Sequence, residues 1–412
     1  DIVSLIDFKT SDINKRFVVL EMSIKTVSSI HTPQLEDIPE LIHRIQSLLP
    51  AKEAASTCIL SKSWLHAWST IPTLRFTPQF QKFVTDEQKI KYQKMIYHTL
   101  QRYHRDNISV ESLDLELHIQ NQESAFAAEK WIQHIVSKSC LKDLSLTIRG
   151  CLIDWFTLPK ELFSSENLST IKLTNEIAKY CLRICSNPFI KCVTLRVLDL
   201  QYVNISEEVL HNLLSACTLL EKIKVWYCKG LKNVLVKNLR HLRELVISSV
   251  VLEINNVPSL CLFDYDTINW GLNKFVPFKI DSLGSVTQLS IKGVVVDDDA
   301  LLNIIKSKFP LLERLALGIS ICELESLVIT SASLKSLFLS IWENDRQVNV
   351  QVYAPKLLSF TYSGEVHGLH FPTIAPTQID LNYLLSRPLD ISFFLKLWEK
   401  KVPISSYERA EI

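Results

Sequence analysis

Leu219-Leu220-Glu221-Lys222-Ile223-Lys224-Val225-Trp226 returns 92 residues later as Leu311-Leu312-Glu313-Arg314-Leu315-Ala316-Leu317. Both phrases contain the unit apolar-x-x-apolar-x-apolar. The unit recurs at Leu141/Leu144/Leu146, Leu168/Ile171/Leu173, Leu195/Leu198/Leu200, Leu242/Leu245/Ile247, Leu260/Phe263/Tyr265, Val286/Leu289/Ile291, Leu334/Leu337/Leu339 and Leu357/Phe360/Tyr362. Neighbouring copies start 18 to 27 residues apart, and one earlier copy, Val110/Leu113/Leu115, precedes the series by 31. The last two apolar residues of each unit sit two apart, the period of a strand whose alternate side chains face opposite ways. One such strand cannot bury its apolar row alone, so the copies must stack.

A period of about 20 to 29 residues with this cadence is that of leucine-rich repeats. The expected fold is therefore α/β: a short helical segment, then a curved leucine-rich-repeat solenoid over residues 110–365, with leucines in its core and a parallel concave sheet. Two extra copies, Leu231/Val234/Val236 and Leu324/Leu327/Ile329, fall at half period. A coil of 22 residues leaves no room for a full helix as well, so these copies are expected as strands or extended segments on the convex side. Longer coils carry helices. Ser206-Glu207-Glu208-Val209-Leu210 and Asp297-Asp298-Asp299-Ala300-Leu301 each join a capping side chain to acids in the first turn, which suits the exposed N–H groups and dipole of a helix start. The three aspartates are read in that way rather than as a metal site.

A different pattern precedes the repeats. From Leu35 to Phe76 the chain reads LEDIPELIHRIQSLLPAKEAASTCILSKSWLHAWSTIPTLRF. Ile38, Leu41, Ile42, Ile45, Leu48 and Leu49 keep three-and-four spacing, and Pro50 stops that helix by removing a donor. A second helix is expected over Glu53 to Leu65, with Ala54, Ala55, Cys58, Ile59, Leu60 and Trp64 near one stripe and Trp68 one turn beyond Trp64. Some 40 residues seldom bury so much apolar surface without help, so part of it is expected to meet a partner. Residues 77–109 read as a helical connector, 1–34 as a poorly ordered leader and 366–412 as a C-terminal cap or tail. The first residue is Asp1, so the sequence is expected to be part of a longer reading frame.

At these residues the chain resembles a plant-type F-box, the helical module that docks on the Skp-type adaptor of a cullin-based ubiquitin ligase. The likeness rests on Ile38-Pro39-Glu40, on Leu41-Ile42-His43-Arg44-Ile45-Gln46-Ser47-Leu48-Leu49-Pro50, on Lys52-Glu53-Ala54-Ala55 and on Leu60-Ser61-Lys62-Ser63-Trp64 with Trp68 behind it. The family places one more residue between the proline–acid pair and the next apolar pair than Pro39-Glu40-Leu41-Ile42 does here, which implies a shortened start to the first helix. Leu158-Pro159-Lys160-Glu161-Leu162-Phe163, the two Leu-Leu-Glu phrases and Ala354-Pro355-Lys356-Leu357-Leu358-Ser359-Phe360 are similar to the irregular repeats that follow the F-box in many plant proteins. The resemblance implies that Ile38, Pro39, Leu41, Ile42, Ile45, Leu48, Leu49, Pro50, Leu60, Trp64 and Trp68 bind the Skp-type adaptor. It also implies that the repeats hold a target protein for ubiquitination by the cullin-RING ligase.

Composition narrows the alternatives. Lys plus Arg is 45 against 44 for Asp plus Glu, which gives no electrostatic case for nucleic acid or an anionic membrane as the main partner. The ten cysteines include no C-x-x-C pair and mostly sit in apolar runs, as free thiols of a reducing compartment do; cytoplasm or nucleus is the expectation. Cys181, Cys185 and Cys192 lack a histidine between Lys172 and Glu208 to complete a zinc site. His211 and His241 read as solvated or capping. Eight glycines form no phosphate-cradling loop, and nothing joins a nucleophile, base and oxyanion pocket, so no enzyme activity, metal or cofactor is expected.

Two functions fit these residues: the substrate adaptor of an SCF-type ligase, or a leucine-rich-repeat scaffold with a degenerate F-box and no ligase role. A small ligand in the repeats would need convergent polar groups that the sequence does not show. Candidates for target contact are the outward strand positions Lys222, Lys224, Trp226, Asp264, Asp266, Arg314 and Phe338, with Asp199, Gln201 and Ser340 beside them. Trp226 is either such a contact or a packing residue against the next repeat.

Overall fold

The computed structural model describes residues 38–76, 86–119, 121–137, 140–151, 155–176, 181–248, 250–267, 279–280, 283–296, 300–322, 324–343, 348–363, 368–370, 378–383 and 404–408. The leader at 1–34, the aspartates 297–299 and most residues beyond 365 lie outside these. Two compact units divide the chain, Asp1–Glu116 and Leu117–Ile412.

In the first unit the helix Pro39–Leu48 places proline in its opening turn, where the missing N–H would have had no partner. Leu49 turns extended ahead of Pro50. The single helix expected over Glu53 to Leu65 is instead two, Ala51–Ser56 and Lys62–Thr70, parted by the 3-10 turn Thr57–Ile59. Ser56 Oγ donates to the Lys52 carbonyl at 3.0 Å and Thr57 Oγ1 to the Ala54 carbonyl at 2.6 Å. Such bonds back to the preceding turn compete with helix propagation, and Ser61 is fully extended at φ −165°. The end of the quoted stretch is a strand. Thr73–Phe76 pairs in parallel with Ser112–Leu115, burying Leu74 and Phe76 and exposing Arg75. The connector contains the 20-residue helix Asp86–Arg105, whose Tyr103 donates its hydroxyl to the Ile71 carbonyl at 2.9 Å.

In the second unit the repeat strands build one parallel ladder. It runs through Asp143–Cys151, Thr170–Asn175, Val197–Gln201, Lys222–Trp226, Glu244–Ser248, Leu262–Asp266, Gln288–Val296, Arg314–Cys322, Ser336–Glu343 and Ser359–Ser363. Register is kept from coil to coil: Leu198 stands opposite Ile223, Ile223 opposite Leu245, Leu245 opposite Phe263, Phe263 opposite Leu289 and Leu289 opposite Leu315. Each central apolar residue therefore packs on its counterpart, and Leu198, Leu245, Leu289 and Leu315 are all buried. Burial of each contributes roughly 1.5 to 3 kcal/mol. The ladder continues past the expected end of the repeats at residue 365, through Gln378–Tyr383 and Ile404–Glu408.

The half-period copies are strands. Asn233–Lys237 joins Val251–Asn255 and Lys279–Ile280 in one short parallel sheet, and Ser326–Thr330 joins Asn349–Tyr353 and Gly368–His370 in another. A two-stranded sheet pairs Phe156–Thr157 with Leu182–Arg183. Asn238 and Asn256 follow successive short strands with φ of 60° and 55°, a conformation asparagine tolerates, and Asn256 Nδ2 donates to Asn238 Oδ1 at 2.8 Å. The helix Glu207–Ala216 starts as expected, with Ser206 Oγ accepting from the Val209 N–H at 3.3 Å.

Candidate protein-docking surfaces

The first helices enclose a small core made of Ile42, Trp64 and Ala67, with Ile45 packed against it. Gln46 is buried beside that core and holds three elements together: its Nε2 donates to Thr57 Oγ1 at 2.8 Å and to the Trp64 carbonyl at 3.0 Å. Trp68 is buried too, with the Arg102 guanidinium 5.6 Å from its ring centre. Ile42, Trp64 and Trp68 are thus corrected from adaptor contacts to internal residues. An apolar stripe on a short helix serves its own module's core first, because that core forms whether or not a partner is present.

The rest of the stripe is wholly or partly open to solvent. Pro39, Leu41, Leu48 and Leu60 are exposed, and Ile38, Ile45, Leu49 and Pro50 are half-buried. Leu48 is 64% and Leu60 51% exposed, against 0% for Ile42. Leu41, Ile45 and Leu48 lie at i, i+4 and i+7, one face of the first helix. Ile59, placed on the apolar stripe but not among the adaptor contacts, and Leu65 are further exposed apolar residues. Only the folded packing shows this: Trp64 points inward and so turns Leu65 about 100° round the helix, while the turn Thr57–Ile59 leaves Ile59 and the following Leu60 in solvent. Burial pushes the Cys58 thiol up to about 11.

A second surface lies on the outward face of the long sheet. Asp199, Lys224, Val246, Asp264, Ser290, Ala316 and Phe338 form one row across neighbouring strands. In the adjacent row Gln201 stands opposite Trp226, and Asp266 opposite Lys292. Trp226 is half-buried, its ring set edge-on to Tyr227 at 5.2 Å and flanked by the ammonium groups of Lys224 at 5.9 Å and Lys292 at 5.7 Å. One side of the ring therefore packs on the following residue and part of it stays open. Lys292 pairs with Asp264 at 3.5 Å and Lys222 with Glu244 at 2.5 Å.

Asp266 is corrected from a contact residue to a buried one. Tyr227 covers it and donates its hydroxyl to Asp266 Oδ2 at 3.1 Å. Tyr227 and Tyr202, at equivalent places in successive coils, stack at 5.6 Å with φ of 47° and 55°. A left-handed tyrosine costs of order 1–3 kcal/mol, so packing must hold both in place. Ser340 is also buried, whereas Arg314 and Phe338 are exposed.

Several of the titratable groups in the repeats make structural contacts. His211 Nε2 accepts from the Leu235 N–H at 3.1 Å, and His241 is solvated. The Glu207 carboxylate accepts from the Asn233 and Lys232 N–H groups at 2.7 and 2.6 Å, which hold its pKa below the usual value. Cys192 and Cys217 touch Sγ to Sγ at 3.7 Å inside the repeats, and that contact with burial raises the Cys217 thiol. Among the described residues no group of three or more histidines, cysteines and carboxylates could hold a metal ion.

A family model described as "At1g61320/AtMIF1, LRR domain" matches residues 100–274. The chain is 28% identical over 197 residues to the F-box/FBD/LRR-repeat protein At3g26920 of Arabidopsis thaliana, covering 47% of this chain and 41% of that protein. It is 30% identical over 200 residues to the putative F-box/FBD/LRR-repeat protein At4g13965 of the same plant, covering 48% and 43%. The putative F-box/LRR-repeat protein At4g15060 is 29% identical over 188 residues, covering 45% and 42%. The matched region thus spans less than half of each relative. These likenesses, with the helical module and the parallel repeat ladder, support a plant F-box/leucine-rich-repeat protein.

Proposed function

We propose that the chain is the substrate-recognition subunit of an SCF-type ubiquitin ligase in the cytoplasm or nucleus. The helical module docks the Skp-type adaptor, and the outward face of the repeats holds a target protein. The observation that carries this reading is the division of labour in the first helices. Ile42, Trp64 and Ala67 complete a core, yet Leu41, Leu48, Ile59, Leu60 and Leu65 remain in water. Apolar side chains left out of a finished core mark an interaction surface, and three of these residues fall where the F-box likeness puts adaptor contacts. The protein's own contribution to ubiquitin transfer is proximity: it raises the local concentration of a target lysine beside a conjugating enzyme that performs the chemistry.

Affinity capture with the full chain, run beside a Leu48→Asp/Leu60→Asp variant, tests both ends. The parent captures adaptor and target, and the variant loses the adaptor while keeping the target. A folded parent that captures no adaptor leaves only the scaffold reading.

A further inference from the structure

The two-stranded sheet of the second unit carries aromatic surface that neither docking face uses. Trp155, just ahead of the strand Phe156–Thr157, is 51% exposed, and the Arg183 guanidinium lies 4.8 Å from its ring centre. Thr157 pairs with Arg183 in the ladder, and the Leu158 N–H donates to the Arg183 carbonyl at 2.8 Å. Lys160 opens the following 3-10 turn, and its ammonium stands 4.9 Å from the ring centre of Phe189, itself 50% exposed. The Phe189 N–H donates to the Lys160 carbonyl at 2.8 Å, and the Lys191 N–H to the Phe163 carbonyl at 2.8 Å. These bonds bring the backbone around Trp155 and Lys160 beside that of Arg183 and of Phe189 to Lys191. Trp155 and Lys160 are five residues apart in sequence, so at most roughly 17 Å separates them.

Arg183, Lys160 and Lys191 are all exposed, and among the described residues none of the three has a carboxylate partner. The three ammonium and guanidinium groups thus carry no ion pair among the described residues, while the rings hold two of the cations by cation–π attraction. A cation already fixed in place loses little freedom when a carboxylate docks on it. We propose that this patch binds an acidic linear peptide segment of a partner protein, its carboxylates on Arg183, Lys160 and Lys191 and its apolar side chains on Trp155 and Phe189. Three cations in a chain with net charge +1 are too few to track a phosphate backbone or hold an anionic membrane. The site stands apart from the ligase reading and does not depend on it.

The test is fluorescence anisotropy of a labelled synthetic peptide of repeated Glu-Glu-Leu triplets against the full chain, at low and high salt. Saturable binding is expected at low salt, weakened roughly tenfold or more by high salt and by Arg183→Glu with Lys160→Glu. Trp155→Ala weakens it as well, whereas Lys335→Glu, whose lysine pairs with Glu313 elsewhere in the repeats, leaves it intact. Melting temperatures confirm folding, and Arg183→Gln with Lys160→Gln replaces the reversal should that variant not fold. Absence of saturable binding overturns the proposal, as does equal binding of a Lys-Lys-Leu peptide or indifference to the substitutions. Tighter binding of phosphatidylserine vesicles or of oligothymidylate than of the peptide also overturns it.

Discussion

Substitution at Leu48 and Leu60 separates docking from folding in the first helices. Leu48 is 64% and Leu60 51% exposed, so covering what remains open is worth roughly 1–2 kcal/mol for each leucine. Leu48→Ala with Leu60→Ala should then weaken adaptor binding by about 2–4 kcal/mol, roughly thirtyfold to a thousandfold. Stability should stay within about 0.5 kcal/mol of the parent, since neither side chain belongs to the core. Ile42→Ala is the contrast. That residue is fully buried against Trp64 and Ala67, so truncation costs about 2–5 kcal/mol of folding free energy. It removes binding only in proportion to the unfolded fraction. Isothermal titration against a purified Skp-type adaptor, paired with thermal unfolding of each variant, measures both quantities. Parent-like affinity in the double alanine variant, or a loss of affinity that tracks unfolding, would refute the division between core and docking surface.

Three further outcomes follow from the repeats. Leu245→Ala should cost about 2–5 kcal/mol in denaturant unfolding, because its side chain is sealed between Ile223 and Phe263 of the adjacent strands. Trp226→Ala should reduce target capture per folded molecule and cost about 1 kcal/mol of stability, the edge-on contact with Tyr227 being lost; capture unchanged per folded molecule assigns the ring to packing. Glu207, whose carboxylate pKa is held low by the Asn233 and Lys232 N–H groups, stabilises the fold above the ordinary glutamate range. That contribution disappears as the pH falls through its depressed pKa. Glu207→Gln should therefore flatten the acid limb of the stability–pH curve, and an unchanged limb would count against the carboxylate's role.

The repeat ladder is legible in the sequence because a strand's period of two and a coil's period near 25 residues are both set by backbone geometry. Leu198, Leu245 and Leu315 satisfy both at once. The half-period strands are legible from length alone, since a short coil leaves no residues for a helix. The helix break at Thr57 is harder to see: it arises from hydroxyls that donate to carbonyls three and four residues back, and nothing in apolar spacing reports them. The proposed docking surface is only half legible. Apolar spacing marks Ile42 and Leu48 alike, and only the folded packing of Trp64 shows which of them is already covered. Asp266 fails for a related reason. Strand alternation sends it outward correctly, but Tyr227, held in the left-handed region, folds over it and takes its carboxylate.

The central claim is that these first helices dock an adaptor while the repeats remain free for a target. Light scattering on size-exclusion chromatography of the full chain mixed with the purified Skp-type adaptor tests it most directly. A co-eluting complex with one copy of each protein is predicted, dispersing into separate peaks for the Leu48→Asp/Leu60→Asp variant. Separate peaks from the folded parent, at concentrations where related helical modules associate, would contradict the account.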